Sequence, residues 1–431
     1  MLLAGIQANS GLDPRLKHSG VTTGGKRSGD LLISRSLLRR CSLVVLLFVL
    51  GCLPVKPTYW GQAAPPVSDD LDPESLHTAI RASIAFLQKL PPDRVVGEQP
   101  RRSTAQDILD SLFAFEQLLA DHWRCTHCLA REITARFDVI PSSTDPALSE
   151  VLFTGYYQPV IEGSFTPTAE YRYAVYRTPP DLIAAERVTL EPKMTVERVI
   201  GRAEGDQFLP YYTRRDIDEA GVLRGRGLEI AWVKDPVELF FLHIQGSGIV
   251  SLPDGDRLNI TYAAHNGWPY RSIGRLLIDR GKIAKEEMSM QRLRRYLATN
   301  PGEQSEIFAY NESYVFFRVS QEGALGSLEV PVTAGRSVAT DARLFPKGAL
   351  GLIQTEIPVI DARGQLAGWR PITRFVLNQD TGGAIRGSQR ADIYFGTGAE
   401  AAGLAGYMNR PGKMFFLLLK QDPTGAKNND G

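Results

Sequence analysis

The spacing of hydrophobic residues changes along the chain, and the first part of the sequence has a helical pattern. Apolar residues recur near every third or fourth position over 75–90, and again from Ile108 onward. The run Ser103 to Asp107, just before the second stretch, is typical of a helix start. We therefore predict a helical segment over 65–145 that forms a small cap on the rest of the protein.

From about residue 150 the pattern changes to short runs of β-forming residues separated by turns. The chain contains 40 glycine and 27 proline residues, which suits many tight turns. A charged stretch at 272–297 is the one clear helical interruption. The strand-like runs are 151–153, 173–176, 228–244, 314–319, 328–332, 350–355, 358–361, 372–377 and 414–419. This pattern predicts a mainly β protein.

The N-terminal region has the pattern of an export signal. Three arginines within 35–40 precede an apolar run over 41–55, which is too short to span a bilayer comfortably. The sequence leaves two alternatives for the position at which the signal is cleaved. Val49 to Cys52 resembles a lipobox, with Cys52 as the lipid-bearing residue, and Gly61 to Ala63 resembles a soluble cleavage site. An uncleaved anchor is a third alternative, and all three predict an exported protein.

Length and charge limit the classes of function. The 431 residues are enough for two or three domains. Hydrophobic residues make up 43% of the chain and charged residues 23%, as in ordinary globular proteins. The formal net charge of +1 gives no electrostatic reason to expect a nucleic-acid partner, because such proteins usually concentrate basic residues on one face.

The four cysteines fall into two groups. Two lie in the export signal, and Cys125 and Cys128 form a CxxC motif. One such motif without a second pair is a weak signal for zinc. In an exported protein we favour a disulfide between Cys125 and Cys128 over two free thiols. His243 and His265 have no metal-ligand spacing around them, so we expect no metal site.

Three aspartates lie in distinctive C-terminal settings. Asp341 ends a short β-forming run, Asp380 comes just before the Gly382-Gly383 turn, and Asp392 opens a short apolar strand. Carboxylates at strand ends beside glycine turns can be held rigidly in a cleft. A second carboxylate nearby and partial shielding from water would raise the pKa of such a group. A protonated carboxyl of this kind can donate a proton to a glycosidic oxygen.

Four blocks of sequence resemble those of one family. They are Phe153 to Pro159, Phe241 to Gly248, Gln379 to Ile385, and Ala391 to Gly396. In this order they are similar to the membrane-bound lytic murein transglycosylase A family, and the resemblance covers about 270 residues, from Phe153 to Lys420. The last two blocks, with Asp341, resemble the three-aspartate module of that family.

The resemblance implies a mainly β fold with a double-psi β-barrel and an inserted second β-rich domain. A groove between the two domains would take the ligand. The predicted division of the chain is a targeting segment and linker at 1–64, a helical segment at 65–145, barrel segments at 146–178 and 329–420 with the three-aspartate module at 335–420, an insert at 179–328, and a disordered tail at 421–431.

The resemblance also implies an activity. Asp392 would be the single catalytic acid and base of a lytic transglycosylase, which cleaves peptidoglycan between N-acetylmuramic acid and N-acetylglucosamine and leaves 1,6-anhydromuramyl ends. The family is taken to need no metal or organic cofactor. The residues predicted to support the site or bind sugar are Asp380, Asp341, Thr154, Tyr156, Tyr157, Gln245 and Ser247.

Two other functions compete with this one. An inverting hydrolase on the same barrel would need two carboxyl groups and would release reducing ends. A non-catalytic wall-binding protein, as expansins illustrate for this barrel, would bind the polymer without cutting it. In all three cases the expected partner is the glycan strand of peptidoglycan. The expected location is the periplasm or an outer-membrane anchor facing the cell wall, and we expect a monomer.

Overall fold

The N-terminal part of the protein is helical, as the sequence predicts. The structure is a computed structural model that describes residues 67–189, 195–383 and 385–421. Its first elements are α1 (Pro73–Leu87), β1 (Val95–Gly97), β2 (Ser103–Thr104), α2 (Ala105–His122), α3 (Thr126–Arg136) and β3 (Phe137–Pro141). Thr104 and Asp107 cap α2 reciprocally, because each side chain accepts a hydrogen bond from the backbone N–H of the other. Cys125 and Cys128 form a disulfide at the start of α3.

An inserted domain separates the first barrel strand from the others. The chain forms β4 (Val151–Gln158) and then β5 (Val160–Ser164), β6 (Tyr173–Tyr176), β7 (Ile183–Thr189), β8 (Thr195–Glu204), β9 (Gln207–Pro210), α4 (Arg214–Asp218), β10 (Glu229–Val233), α5 (Pro236–Gln245), β11 (Ser247–Ser251), β12 (Arg257–His265), α6 (Ile273–Asp279), α7 (Met290–Thr299), α8 (Gln304–Tyr310) and β13 (Val315–Val319). One sheet of the insert has the strand order β13-β12-β11-β5-β10-β6, and a second has the order β7-β8-β9.

The rest of the chain completes a closed barrel. It forms β14 (Ser337–Thr340), β15 (Leu350–Ile360), β16 (Leu366–Thr381), β17 (Arg390–Thr397), α9 (Gly398–Tyr407) and β18 (Asn409–Leu419). The strand order is β15-β16-β14-β17-β4-β18, and a pairing of β15 with β18 closes the sheet into a six-stranded barrel. A mainly β fold with a barrel, an insert and N-terminal helices agrees with the prediction.

The N-terminal helices pack on the barrel and share its hydrophobic core. Ile80 of α1 and Phe115 of α2 belong to the same buried cluster as Leu352 and Phe375 of the barrel. The rings of Phe115 and Phe375 lie with their centroids 4.9 Å apart, in an edge-to-face arrangement. Burial of these side chains on both sides makes the helices part of the barrel domain.

Buried ion pairs fasten the segment before α1 to the barrel. Arg336 is fully buried, and its guanidinium donates to the carboxylate of Asp69 at 2.6 Å and to the carbonyl of Asp72 at 2.7 Å. Arg374 donates to both carboxylate oxygens of Asp70 at 2.7 Å. A buried guanidinium needs an acidic partner to offset its loss of hydration. Residues 69–72 therefore supply the negative charges that balance two buried arginines of the barrel.

The run 228–244, which the sequence predicts as strand, divides into β10 and α5. Asp235 accepts a hydrogen bond from the N–H of Val237 at 2.8 Å, and Pro236 occupies the start of the helix. Gly246 has a φ of 80° and ends the helix in the left-handed conformation. Most side chains of α5 are buried, so tertiary packing and these end signals outweigh the β propensity of its apolar residues.

The boundary between barrel and insert differs from the predicted one. The sequence division kept 146–178 with the barrel, but β5 and β6 pair with β10 and β11 in the sheet of the insert. The chain therefore leaves the barrel directly after Gln158. The run 328–332 contributes an isolated bridge, between Leu325 and Pro331, instead of the predicted strand.

Several predicted features lie outside the described residues. These are the export signal with Cys52, the alternative cleavage site at 61–63, and the tail after residue 421. Across 67–189, 195–383 and 385–421, no helix is both long enough and apolar enough to cross a bilayer.

Candidate active site

Strand register brings two of the three predicted aspartates to one barrel wall, on strands that are separated by a single strand. Asp392 on β17 pairs with Thr154 on the parallel strand β4. On its other side Asp392 pairs with Ala339 of β14, and Ala339 in turn pairs with Asp380 of β16. Residues paired across a sheet share a face, and strands are spaced about 4.8 Å apart, so the backbones of Asp380 and Asp392 are roughly 10 Å apart.

Asp392 is held by a hydroxyl and a guanidinium. The Thr154 hydroxyl donates a short hydrogen bond to Asp392 Oδ1. Arg390, two residues earlier on the same strand, has its Nη2 3.5 Å from the same carboxylate oxygen and donates to the Thr154 hydroxyl at 3.2 Å. The Asp392 side chain is 1% exposed. The three side chains therefore form one compact polar cluster inside the wall.

The pKa of Asp392 does not follow the expected direction. The sequence predicts a raised pKa and a carboxyl that is protonated at rest. Burial does raise the pKa of Asp392, but the charge of Arg390 and the hydrogen bond from Thr154 are among the interactions that stabilise the carboxylate, and the pKa lies below its ordinary value. Arg390 and Thr154 therefore oppose the effect of burial on this carboxyl.

Asp380 has the opposite electrostatic character. Its side chain is half-buried, and one oxygen accepts backbone hydrogen bonds from Ser327 at 2.9 Å and Thr381 at 2.8 Å. Burial outweighs these donors and raises the pKa of Asp380 to about 6. The two carboxyls on this wall therefore differ in charge over a range of mildly acidic pH.

An aromatic pair lies on the two strands that carry Asp392 and Thr154. Tyr156 of β4 pairs with Tyr394 of β17, and their ring centroids are 5.2 Å apart. Burial and the charge of Asp380 raise the pKa of Tyr156 well above its ordinary value, so this phenol is neutral. Its hydroxyl is buried and makes no hydrogen bond of standard geometry within the described part of the chain. The hydroxyl also interacts with the Asp380 carboxyl, and a neutral phenol beside a carboxyl suits a polar, uncharged ligand.

Gln158 continues the polar face of β4 beyond Thr154 and Tyr156. Its Oε1 accepts a hydrogen bond from the hydroxyl of Thr397 at 2.9 Å. Its amide nitrogen is buried and has no hydrogen-bond partner among the residues that the structure describes. An amide N–H of this kind can donate to the hydroxyl or acetamido oxygen of a sugar.

Asp341, the third predicted aspartate, ties two loops together away from the Asp392 carboxylate. It is fully buried and accepts hydrogen bonds from the guanidinium of Arg343 at 2.6 Å and from the N–H of Gly387 at 2.9 Å. The hydrogen bond from Arg343 is the largest of the effects that lower the pKa of Asp341 to about 2. Asp341 thus fixes the loop between β16 and β17, which carries the chain from Asp380 to Asp392.

Tyr157 faces the insert, and Gln245 and Ser247 belong to the insert. The Tyr157 hydroxyl accepts a hydrogen bond from Arg294 of α7 at 2.8 Å, because alternate residues of β4 point to opposite faces. Gln245 ends α5 and accepts a hydrogen bond from the backbone N–H of Tyr157 at 3.1 Å. Ser247 is buried at the start of β11. Gln245 directly follows the run 228–244 that the sequence predicts as strand, but it lies at the end of a helix of the insert.

Three residues of this face were not singled out by the sequence reasoning. Arg390, Tyr394 and Gln158 each lie two or four residues from a predicted site residue on the same strand. The alternation of side chains along a strand places such residues on one face, and that rule could have found them. Within the described ranges, no group of three or more His, Cys, Asp or Glu side chains could hold a metal ion.

Two family models match the chain over the site. The model of the MltA specific insert domain matches residues 152–318, and the model of the 3D domain matches residues 336–418. The first match includes β4 and the inserted domain. The second includes the other five barrel strands and all three of the predicted aspartates.

Known proteins resemble the chain over the same region. Membrane-bound lytic murein transglycosylase A of Escherichia coli (strain K12) is 36% identical over 281 residues, which is 64% of this chain and 67% of that protein. A membrane-bound lytic murein transglycosylase from Agrobacterium tumefaciens has a crystal structure with a TM-score of 0.67 and 33% identity, over 81% of this chain and 93% of that one. The structure of E. coli MltA with bound chitohexaose has a TM-score of 0.60 and 29% identity, over 79% and 89%.

The barrel, its carboxylate face and these matches together define an enzyme of the lytic transglycosylase class. More narrowly, the chain belongs to the membrane-bound lytic murein transglycosylase A family.

Proposed function

We propose that the protein cleaves the glycan strand of peptidoglycan between N-acetylmuramic acid and N-acetylglucosamine, with Asp392 as the only acid and base. The observation that carries this proposal is the cluster of Asp392, Thr154 and Arg390 on one barrel wall, beside the uncharged polar face of Tyr156 and Gln158. A carboxyl that is oriented by two donors keeps one fixed geometry through both proton transfers.

The reaction balances without water. Asp392, once protonated, donates its proton to the oxygen that bridges the two sugars, and the bond from that oxygen to the anomeric carbon of the muramyl residue breaks. The 6-hydroxyl of the same muramyl ring then forms a bond to that carbon, and Asp392 takes the hydroxyl proton. The products are a free N-acetylglucosamine hydroxyl and a 1,6-anhydromuramyl end. The nucleophile is tethered, so one carboxyl group suffices.

The acid role requires Asp392 to take up a proton when the glycan binds. A sugar in the groove removes the remaining water from the carboxyl, and loss of hydration raises the pKa of a carboxylic acid. The carboxyl is almost fully buried, so the proposal also requires a state in which this face opens to the glycan.

A second candidate function is hydrolysis with inversion, and one observation favours it. Asp380 and Asp392 lie on strands separated only by β14, and their pKa values are shifted in opposite directions. Inverting glycosidases use two carboxyl groups roughly 6.5–9.5 Å apart, one as acid and one as base. Asp380 would then be the acid and Asp392 the base that activates water.

Product analysis separates the two reactions. Purified protein is incubated with peptidoglycan sacculi in isotopically labelled water, and the soluble muropeptides are analysed by mass spectrometry. The proposal predicts anhydromuramyl ends that carry no label. Reducing ends that carry labelled oxygen would establish hydrolysis instead. Sacculi that bind the protein but release no soluble product would indicate a wall-binding protein without catalysis.

We also propose that the protein is exported and faces the peptidoglycan from the periplasm or from an outer-membrane anchor, as a monomer. The support is the export pattern over 35–55 and the membrane-bound relatives. The intact mass of the mature protein from its native host tests the anchor. A lipid on Cys52 gives a chain that starts at residue 52 with added acyl mass, whereas cleavage after Ala63 gives an unmodified chain.

A further inference from the structure

The inserted domain contains a cavity that the proposed reaction does not use. Its volume is about 540 Å³, and it lies between α4, β6, β10, α5 and α8. Its walls include the aromatic side chains of Tyr173, Tyr176, Trp232 and Phe240. A cavity of this size and aromatic content is typical of a small-ligand site.

An acidic side chain lies inside the cavity with part of its surface uncovered. The side chain of Asp218 is 38% exposed and lines the cavity, and its nearest ion-pair partner, Arg214, is 3.6 Å away. Arg214 directs its hydrogen bonds elsewhere, to the carbonyls of Asn311 at 3.0 Å and Ser313 at 2.7 Å and to the ring of His243 at 2.9 Å. Asp218 also interacts with the Tyr314 hydroxyl, and burial raises its pKa, so the exposed part of the carboxyl is the part that a ligand in the cavity can contact.

The rim of the cavity carries both signs of charge. Arg172 and Arg224 line it as exposed side chains, and the guanidinium of Arg172 lies over the ring of Tyr173 at 5.5 Å. Glu229 lines it as a half-buried acid. Guanidinium groups match carboxylates, and an acid beside aromatic rings matches an ammonium group. The lining thus fits a zwitterionic ligand better than an uncharged sugar.

We propose, on the basis of the proposed function, that this cavity binds the short peptide attached to the glycan of peptidoglycan. Such a peptide carries carboxylates and, on its diamino acid residue, a free ammonium group. Asp218 and Glu229 receive the ammonium group, and Arg172 and Arg224 receive a carboxylate. The peptide then adds affinity for peptide-bearing strands over bare glycan.

The position of the cavity suits a ligand attached to a bound glycan strand. The first turns of α5 line the cavity, and Gln245 at the other end of α5 hydrogen-bonds the backbone of β4. The ten residues of α5 span about 15 Å. An extended peptide of four or five residues reaches roughly 13–18 Å. The distance along α5 between the end of β4 and the cavity is thus within the length of such a peptide.

Calorimetry with a free peptide tests the proposal independently of catalysis. The probe is the murein tetrapeptide with its diaminopimelate residue, titrated into the purified protein. We expect the wild-type protein to bind it, and Asp218→Asn and Arg224→Ala each to weaken binding at least tenfold. Asp254→Asn, the same kind of change at an exposed turn of the insert, should bind like the wild type. Arg224 is exposed, so Arg224→Ala decides the question if Asp218→Asn fails to fold.

Kinetics supply the second readout. On peptide-bearing sacculi Arg224→Ala should raise KM at least threefold with kcat retained, and on peptide-free glycan it should match the wild type. A wild-type protein that does not bind the peptide at millimolar concentration overturns the proposal, as does unchanged binding in both variants. Binding of bare chitin oligosaccharide that Arg224→Ala weakens would also overturn it, in favour of a sugar subsite. None of these results alters the products of cleavage, so the proposed reaction is judged separately.

Discussion

Two carboxyl side chains on one barrel wall, Asp392 and Asp380, have pKa values that are shifted in opposite directions, because their neighbours differ. Asp392 faces a guanidinium and a hydroxyl that favour its charged form, whereas Asp380 receives backbone N–H groups that do not offset its burial. The chemistry of this wall is therefore set by which group lies next to each carboxyl.

Replacement of Asp392 by Asn tests the acid–base role. Asn has nearly the same shape but cannot donate and then recover a proton, so we expect a loss of at least roughly 10²–10⁴-fold in the release of soluble muropeptides. The variant should keep the wild-type circular dichroism spectrum. Asp361→Asn, in the exposed turn between β15 and β16, is the matched control and should be fully active. Near-normal turnover in Asp392→Asn would exclude this residue from the reaction.

Replacement of Thr154 by Val tests the hydrogen bond to Asp392. Valine keeps the volume but removes the donor that stabilises the carboxylate, so the pKa of Asp392 should rise. The fall of kcat/KM with increasing pH should then move to higher pH. Activity at low pH should also drop about tenfold, because the variant loses the charge-assisted hydrogen bond from Thr154 to Asp392, and such a bond contributes about 1.5–3 kcal/mol. Thr154→Ser keeps the hydroxyl and should restore the profile. An unmoved pH limb in Thr154→Val would contradict the coupling.

Replacement of Asp341 by Asn tests a structural carboxylate. The pKa of Asp341 is lowered in the folded state to about 2, so its contribution to stability is present above about pH 4 and is lost as the pH falls through 2. We expect Asp341→Asn to lower the free energy of unfolding at pH 7 by on the order of 1–2 kcal/mol, a figure reduced because Arg343 is exposed.

Urea unfolding at several pH values provides the measurement for Asp341→Asn. The difference from the wild type should shrink towards pH 2. Asp93→Asn, at an exposed position near the end of α1, should show no difference at any pH. A deficit that is independent of pH would assign the loss to packing rather than to the ionised carboxyl.

At the scale of elements, residues 69–72 before α1, here called the clasp, bind to the barrel through buried ion pairs. Asp69 and Arg336 form a buried ion pair, with side chains 3% and 0% exposed. Removing one partner leaves an uncompensated buried charge, which costs about 3–5 kcal/mol. We expect Asp69→Ala to lower the free energy of unfolding by about that amount in thermal or urea unfolding. Asp93→Ala, outside the clasp, should change little, and an equally small effect of Asp69→Ala would show that the clasp is dispensable.

Elements differ in how well the sequence predicts them. The helices α1 and α2 follow from apolar spacing and start signals, because these act within a few residues. The helix α5 was missed because its residues favour strands, although Asp235, Pro236 and Gly246 mark its two ends. Gly155 shows a further limit. A Cβ there would lie 2.8 Å from the backbone of Ala405 in α9, a contact that only the folded chain reveals.

The arrangement of the site also depends on contacts that only the folded chain reveals. The sequence blocks identify Asp392, Asp380 and Thr154, and the register brings all three to one wall. The direction of the pKa of Asp392 was not predictable, since it depends on where Arg390 and Thr154 point. The sequence also did not predict that Tyr157 faces the insert, which follows from alternation along β4, or that Gln245 at the end of α5 contacts the backbone of β4.

At the scale of the whole molecule, the N-terminal helices and the barrel share one hydrophobic core, so we expect them to unfold together. Their side chains share a single buried cluster. A chain that starts at Pro146 would lose α1–α3 and expose the barrel side of that cluster. We expect it to show no cooperative thermal transition, whereas a chain that starts at Val67 should unfold like the full-length protein. A sharp transition in the shorter chain would mean that the barrel folds alone.

The barrel is built from two distant parts of the chain, and this has a consequence during synthesis. Thr154 and Asp392 are 238 residues apart, with the entire insert between them. A ribosome that stops early, or a protease that clips the chain before β17, leaves the hydroxyl without its acid. Under the proposed mechanism a copy that ends before β17 lacks Asp392 and cannot cut the glycan, so only the complete barrel would be active.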